Sequence, residues 1–291
     1  MNRRIFLLSI IIIIFLLVCF MIYFSHSDET QFSLPVVADS RNEVTLPILM
    51  YHGITDLASE VGEYTIHKDT FENDLKWLGE NGYTTISLRQ LIDYVEKGTR
   101  LPSKPILITF DDGHASDYVF AFPLLQKYHM KGVFSVIGSS VDTSSGDLYR
   151  QLDSSSVTWG EVALMASSGS AEIGSHTFDL HSVSGGRKGA DKKQDESQEK
   201  YEEILLEDLM KNNEKILKAT GAAPLLFAWP YGAYPRDGSA DKILKEAGYK
   251  VSVTSYQTMN TIRQGEPNSL FGLKRFLRTP DFDMNRIIWY N

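Results

Sequence analysis

The sequence has 291 residues, enough for one large domain or two small ones with a sizeable buried core. Its apolar share of 43% and charged share of 23% are typical of a folded protein and exclude a wholly disordered chain. The formal net charge of −8 argues against a nucleic-acid partner, because phosphate contacts need a basic surface. Cys19 is the one cysteine, which excludes a disulfide framework and a cysteine-type zinc site, so a metal would need His, Asp and Glu ligands.

The N-terminal segment is a candidate membrane anchor. Residues 5–24 form an apolar run that, as a helix, would be about 30 Å long, the thickness of a bilayer core. Two arginines precede it and acidic residues follow it, so the positive-inside rule places the rest of the chain outside the cytoplasm. A cleaved signal peptide and a lipoprotein signal using Cys19 are the alternatives, and both give the same location. We predict a single-pass anchor in residues 1–24, a polar linker in residues 25–45 and a domain in residues 46–291.

Within this domain, short apolar strands alternate with amphipathic helices. The predicted strands are Ile48–Met50, Pro105–Phe110, Gly132–Ile137, Ala171–Ser175, Leu225–Trp229, Tyr249–Val253 and Gly272–Phe276. Capping boxes at Ser87 and Thr158 begin two of the helices, and Ile204–Leu217 is a strong helix. This alternation predicts a parallel sheet covered by helices, and about 245 residues favour a closed or nearly closed (β/α) barrel. Residues 182–198 break the pattern: they are almost entirely polar, and we expect them to bury too little surface to order themselves.

Two adjacent carboxylates follow one of the predicted strands, in the sequence Thr-Phe-Asp-Asp-Gly at residues 109–113. Asp111 and Asp112 would repel one another unless a cation or a proton lies close by. The alternative interpretation is a plain Asp-Gly turn in which Asp112 caps the next helix. In barrels of this kind the chemistry lies at the C-terminal ends of the strands, which is where this pair stands.

Two histidines, His176 and His181, follow another strand at a spacing of five residues. A histidine pair at a strand end, with acidic residues elsewhere, indicates a nitrogen and oxygen metal site, the alternative being histidines satisfied within the core. Since this is not the spacing of one helix face, the loop must curl to bring both rings onto one ion. A third stretch, Pro230-Tyr231-Gly232, follows a later strand and by itself is typical of an ordinary turn.

In type and order these three stretches resemble the motifs of the polysaccharide deacetylase family, the NodB-homology domains of carbohydrate esterase family 4. Residues 46–52, Leu-Pro-Ile-Leu-Met-Tyr-His, are also similar to the first strand of the branch that deacetylates poly-N-acetylglucosamine. The resemblance covers about residues 46–280. It implies a distorted (β/α) barrel of about seven parallel strands and the hydrolysis of an N-acetyl amide with release of acetate.

The resemblance also implies roles for individual residues. Asp111 would be the general base, and the backbone N–H of Tyr231, in the turn begun by Pro230, would bind the oxyanion. The three ligands of a single divalent metal ion would be Asp112, His176 and His181. Zn²⁺ is the expected ion, with Co²⁺, Ni²⁺ and Fe²⁺ as alternatives.

The sequence departs from the family pattern at two accessory positions. The arginine that usually orients the base is replaced by Ala228, so Asp111 is expected to lack its usual partner. The usual histidine acid near the C-terminus is absent, and the candidate substitutes are His52, at the end of the first strand, and a metal-bound water. Arg275 ends a late predicted strand and is a further candidate for substrate binding in the cleft.

The expected function is metal-dependent N-deacetylation of an N-acetylglucosamine polymer outside the cytoplasm, in an exopolysaccharide or in peptidoglycan. The expected partners are that polysaccharide, the membrane through residues 5–24, and a polysaccharide synthase. Two alternatives stay open: a polysaccharide-binding pseudoenzyme with the same fold, and an O-acetyl esterase with the same metal site. A serine hydrolase is disfavoured because the chain has no Gly-x-Ser-x-Gly sequence.

Overall fold

The computed structural model describes residues 42–147, 155–235 and 238–288. The predicted anchor and nearly all of the predicted linker therefore lie outside the described residues. Within the described ranges, none of the helices is long and apolar enough to cross a membrane. The first described strand, Glu43–Leu46, lies at the end of the predicted linker and pairs antiparallel with Asn260–Arg263, so these residues are part of the folded domain.

The strands are short, and most are buried. They are β1 Glu43–Leu46, β2 Ile48–Tyr51, β3 Gly53–Thr55, β4 Thr65–His67, β5 Thr84–Thr85, β6 Pro105–Phe110, β7 Gly132–Val136, β8 Ala171–Ser175, β9 Leu226–Ala228, β10 Val251–Val253, β11 Asn260–Arg263 and β12 Phe276–Leu277. The helices are α1 Lys68–Glu80, α2 Leu88–Lys97, α3 Phe122–Lys127, α4 Gly138–Gly146, α5 Trp159–Ser167, α6 Gln198–Thr220 and α7 Ser239–Glu246. The predicted capping boxes at Ser87 and Thr158 are both formed, at the starts of α2 and α5.

The main sheet has eight parallel strands: seven follow one another in the order β10-β9-β8-β7-β6-β2-β12, and the two-residue β5 pairs with β6 beside this path. The seven ordered strands match the predicted ones in number and order, although β12 shares only Phe276 with the predicted Gly272–Phe276, and the parallel α/β architecture is confirmed. All six residues of β6 are buried, as expected for a sheet covered on both faces. The sheet curls into a half-barrel, and one segment lies between its edges: Leu273 bridges Val253 of β10, while Phe276 of β12 pairs with Leu49 of β2.

This architecture brings the motif residues to one edge of the sheet. Because the strands are parallel, β6, β8 and β9 all end on the same side of the domain. Asp111 and Asp112 follow β6, His176 follows β8, and Tyr231 lies in the 3-10 turn Pro230–Gly232 after β9. The fold therefore gathers residues that are separated by more than a hundred positions in the chain.

Candidate active site

Asp112, His176 and His181 lie together at the strand ends. The Nε2 atoms of both histidines are 3.3 Å from the same carboxylate oxygen, Oδ1 of Asp112. One potential ligand atom from each residue lies within 4.8 Å of the other two. The Nδ1 atom of His176 is 2.8 Å from the carbonyl oxygen of Ala228, so an Nδ1–H donates there and the Nε2 lone pair faces the site. A carboxylate and two such imidazoles form a donor set that fits a divalent cation such as zinc.

The backbone at Asp112 explains how two neighbouring carboxylates enter one site. Successive side chains of a strand point to opposite faces. At Asp112 φ is +71°, a left-handed conformation that is rare for a residue other than glycine, and it ends the strand alternation directly after β6. Gly113 follows with a φ of +67°, which glycine adopts without a Cβ penalty.

Asp111 forms a buried ion pair with Arg275. Two hydrogen bonds, Nη1 to Oδ1 at 2.7 Å and Nη2 to Oδ2 at 2.6 Å, join the guanidinium to the carboxylate. The Nε–H of Arg275 donates to the carbonyl oxygen of Thr254 at 2.8 Å, which fixes the orientation of the guanidinium plane. Such bidentate pairs combine strength with a defined geometry. Ala228 stands where the usual arginine would be, as expected, but Asp111 is paired with an arginine from another segment, which the sequence did not indicate.

Arg275 itself was expected to bind substrate, and the structure gives its side chain a different partner. The residue is only 1% exposed, although it borders the cavity described below, and its guanidinium is occupied by Asp111 and by the carbonyl of Thr254. These contacts indicate that Arg275 orients the carboxylate of Asp111 and does not bind a polymer. The usual motif has an arginine two residues before Pro230, where this chain has Ala228. Here the arginine that binds Asp111 comes instead from the segment before β12.

The electrostatic environment keeps both carboxylates ionised. Burial alone would raise the pKa of Asp111, but the charge and hydrogen bonds of Arg275, together with the charges of His176 and His52, outweigh it, and the pKa lies below its ordinary value. Burial also acts to raise the pKa of Asp112, and hydrogen bonds from His114, His176 and His181 outweigh that effect. At neutral pH Asp111 is therefore an anion that can accept a proton, and Asp112 is an anion that can bind a cation.

His52 lies beside this cluster, directly after β2. In the part of the chain that the structure describes, its Nδ1 atom is buried and has no hydrogen-bond partner. Its ring packs edge-on against the ring of Tyr64, with centroids 5.1 Å apart. Burial lowers the pKa of His52 below its usual value, while Asp111 and Asp112 partly oppose this shift. His52 is also one of the residues that line the cavity described below.

The turn after β9 places Tyr231 against the metal-ligand candidates. Tyr231 has a left-handed φ of +56°, and its ring centroid is 4.8 Å from that of His181. Its side chain is 42% exposed and borders the cavity. Pro230, by contrast, is buried and is not among the residues that line the cavity, so its predicted place in the substrate and oxyanion site stays a prediction. Pro230 begins the turn that presents Tyr231.

The polar segment after His181 makes more contacts than its composition predicts. Arg187 is buried and forms an ion pair with Glu196, and Ala190 is fully buried against the core. A Cβ on Gly189, where φ is +57°, would lie 2.8 Å from Cβ of Pro230, so the segment packs closely on the turn that holds Tyr231. The expectation that residues 182–198 bury too little to order themselves is therefore wrong.

One cavity of about 710 Å³ joins these groups, a size suited to a small-molecule or sugar ligand. Of the predicted site residues, it is lined by His52, Asp111, Asp112, His176, His181, Tyr231 and Arg275. The cavity is also lined by four residues that were not among the predicted site residues: Tyr64, His114, Lys188 and Trp229. His114 had a usable signal, since it follows the Asp-Asp-Gly motif directly, and its Nε2 lies 3.4 Å from Oδ2 of Asp112.

Comparison with known proteins places this site in a family. The polysaccharide deacetylase profile matches residues 98–252, just over half of the chain. The poly-beta-1,6-N-acetyl-D-glucosamine N-deacetylase of Escherichia coli K12 is 29% identical over 224 residues, 71% of this chain. That match spans only 33% of the E. coli protein's length.

Two solved structures are similar over most of the chain. A de-N-acetylase from Aggregatibacter actinomycetemcomitans superposes with a TM-score of 0.71 at 27% identity, covering 85% of this chain and all of that one. IcaB from Ammonifex degensii gives a TM-score of 0.67 at 28% identity, covering 81% of this chain and 93% of that one. With the family profile matched over the central strands and the first motif intact, the chain belongs to the polysaccharide deacetylase family.

Proposed function

We propose that the protein is a metal-dependent N-deacetylase that hydrolyses acetamido groups of an N-acetylglucosamine polymer. The observation on which this rests is the buried carboxylate of Asp111, held by Arg275 beside the Asp112, His176 and His181 donor set in one cavity. The name of the E. coli relative supports a poly-N-acetylglucosamine substrate. The match covers only a third of the E. coli protein, so the substrate is inferred from the shared domain.

In the proposed mechanism each residue has a separate task. A divalent cation held by the three ligands would supply Lewis acidity to the acetyl carbonyl and to a water molecule. Asp111 accepts the proton of the attacking water, and Arg275 keeps that carboxylate ionised and correctly oriented. The Tyr231 N–H donates to the oxygen that becomes negative in the transition state. Cleavage of the C–N bond then yields acetate and the sugar amine.

The leaving amine needs a proton, and His52 is the proposed source. It lines the cavity that holds Asp111 and has an unsatisfied ring nitrogen. Burial favours its neutral form and the two nearby carboxylates favour its charged form. This balance suits a group that both gives and recovers a proton during turnover.

The proposed location is the outer face of the cell membrane, with residues 5–24 as a single-pass anchor. The apolar length of this run and the arginines before it support the proposal. A polymer made at the same membrane would be within reach of the domain, and its synthase is a candidate partner. Deacetylation would leave amines that are cationic near neutral pH and would attach the polymer to anionic surfaces.

Acetate release from β-1,6- and β-1,4-linked N-acetylglucosamine oligomers tests the proposed activity. The protein is stripped of metal with a chelator and assayed with and without Zn²⁺, beside Asp111→Asn and the matched control Asp69→Asn, an exposed carboxylate at the start of α1. We expect Zn²⁺-dependent acetate that falls by about 10²-fold or more in Asp111→Asn and is unchanged in the control. Acetate from acetylated xylan alone would indicate an O-acetyl esterase, and no acetate from any polymer would refute the proposed hydrolysis.

A further inference from the structure

The loop between the two histidines is held by one carboxylate from a distant helix. Asp208 of α6 is 9% exposed and points its carboxylate at the backbone of this loop. The three N–H donors, at N···O distances of 2.7, 2.7 and 3.1 Å, belong to Phe178, Asp179 and Leu180. Oδ1 accepts the first of these bonds and Oδ2 accepts the other two. All three residues lie between His176 and His181.

The carbonyl groups of the same loop are bound by the start of α4. The N–H of Gly138 donates to the carbonyl oxygen of Thr177 at 3.1 Å, and that of Ser139 donates to Phe178 at 2.8 Å. Gly138 cannot carry a side chain here, because a Cβ would lie 2.7 Å from the Phe178 ring. Thr177 itself has a left-handed φ of +74°. The start of α4 and the Asp208 carboxylate thus enclose the loop and fix its curled path.

A second residue of α6 supports the same arrangement. Asn212 lies one helical turn after Asp208, and its Nδ2 donates to Oγ of Ser175 at 2.8 Å and to the carbonyl oxygen of Val136 at 3.1 Å. Ser175 is the last residue of β8, directly before His176. Two consecutive turns of a 23-residue helix therefore hold both the end of the strand and the loop that follows it.

We propose that Asp208 is a positioning residue for the metal site: by gathering three backbone N–H groups, it curls the loop so that His176 and His181 face one cation. The five-residue spacing does not place both rings on one side of a regular helix, so the site depends on this curl. Charge-assisted bonds to a partly buried carboxylate are the strong class of hydrogen bond. The inference rests on the proposed function only in that the cation is the one the deacetylase would use.

Zn²⁺ affinity of the purified protein, measured by competition with a chromophoric chelator, tests this role. Asp208→Asn replaces one carboxylate oxygen by an NH₂ group, so in either orientation at least one loop N–H faces a donor. We expect its Zn²⁺ affinity to fall by about 10–100-fold, the range found when groups that orient metal ligands are removed. Asp208→Glu restores the charge and is expected to recover part of the affinity. Glu207→Gln, an exposed neighbour with the same change in charge, is expected to bind like the wild type.

Two further readouts separate positioning from a general loss of structure. The d–d absorption of bound Co²⁺ is expected to change in Asp208→Asn and not in Glu207→Gln. In the metal-free wild type, the amides of Phe178, Asp179 and Leu180 are expected to exchange hydrogen slowly, and this measurement is informative even if Asp208→Asn does not fold.

Wild-type Zn²⁺ affinity in Asp208→Asn with an unchanged Co²⁺ spectrum would overturn the inference, as would rapid exchange of the three loop amides in the wild type. Neither readout uses acetate release. If the wild type binds Zn²⁺ tightly and releases no acetate, the proposed activity fails and the Asp208 result stands. If acetate is released and Asp208→Asn binds Zn²⁺ normally, only the Asp208 inference fails.

Discussion

Replacing Arg275 by methionine tests whether the buried ion pair tunes the base. The substitution keeps much of the side-chain volume and removes both hydrogen bonds to Asp111, at 2.7 and 2.6 Å. Asp111 is 2% exposed, so the water that reaches it from the cavity is too little to replace two charged hydrogen bonds. Breaking a buried ion pair by removing one partner costs about 3–5 kcal/mol, and we expect the free energy of unfolding to fall by about that amount.

The same substitution should raise the pKa of Asp111. Burial favours the protonated acid and Arg275 favours the anion, so removing the arginine leaves the effect of burial less opposed. A carboxyl whose folded pKa is depressed stabilises the fold above its unfolded pKa, and this contribution is lost as the pH falls through the folded pKa. In Arg275→Met that contribution shrinks. Because the proposed base works only as an anion, the acid limb of the kcat/KM profile should move to higher pH.

Arg278→Met is the matched control. Arg278 also forms a buried bidentate pair, with Asp74 at 2.7 and 2.9 Å, and it does not line the candidate site. Urea denaturation of the metal-free proteins should show losses of similar size for the two variants. The acid limb of kcat/KM for acetate release should move only in Arg275→Met.

Two results would refute this reasoning. A loss of unfolding free energy below about 1 kcal/mol in Arg275→Met would mean that the pair is no stronger than a surface salt bridge. An acid limb at the same pH in Arg275→Met and Arg278→Met would mean that Arg275 does not set the protonation of the base.

Three further outcomes follow from the geometry of the site. Burial would lower the pKa of His176, but the nearby carboxylates raise it above its ordinary value. Protons should therefore compete with Zn²⁺ for this ring, and the Zn²⁺ affinity of the protein should fall steadily from about pH 7.5 to 5.5. A constant Zn²⁺ affinity over this range would contradict the prediction. Gly189→Ala should lower kcat several-fold, because the new methyl group would displace the turn at Tyr231. The control Gly186→Ala also has a positive φ but has open space around it, so it should lower the free energy of unfolding by about 1 kcal/mol and leave kcat unchanged. His52→Asn should lower kcat by about 10²–10⁴-fold with unchanged Zn²⁺ affinity, and a near-normal kcat would remove His52 as the acid.

The parallel sheet was predictable because its signals are local. Each of its seven ordered strands is a short apolar run, and β6 is buried along its whole length. The capping boxes at Ser87 and Thr158 mark helix starts within four residues of sequence. The antiparallel pair of β1 and β11 was missed, because its partners are brought together only by the completed fold.

The positions of Asp112, His176 and His181 at one edge were also predictable, since parallel strands end on the same side. Arg275 as the partner of Asp111 was not, because 164 residues separate them and only the closing segment before β12 brings them together. Asp208 did have a local signal: it lies on the buried face of α6, where apolar residues are expected. A carboxylate on such a stripe needs partners, and here they are the N–H groups of the metal-ligand loop.

The low apolar content of residues 182–198 led to the wrong prediction that this segment would not order itself. Apolar content measures how much surface a segment can bury against a core, and by that measure the segment is poor. Here the contacts are polar: Arg187 pairs with Glu196 and also donates to the carbonyl oxygen of Asp191 at 2.7 Å. The single buried methyl of Ala190 and the absence of a side chain at Gly189 then suffice for close packing against the turn of Tyr231.

The exchange of Ala228 for Arg275 shows why a missing motif residue is weak evidence for a pseudoenzyme. Ala228 ends β9 and Arg275 directly precedes β12, and the curled sheet brings both segments to the same active-site edge. The carbonyl of Ala228 still orients His176, a task that needs no side chain. What Asp111 requires is a guanidinium in its plane, and the fold can supply one from either segment. Arg275 therefore supplies the positive charge that Asp111 needs, although the usual position in the sequence has no arginine. This favours a working hydrolase over a pseudoenzyme.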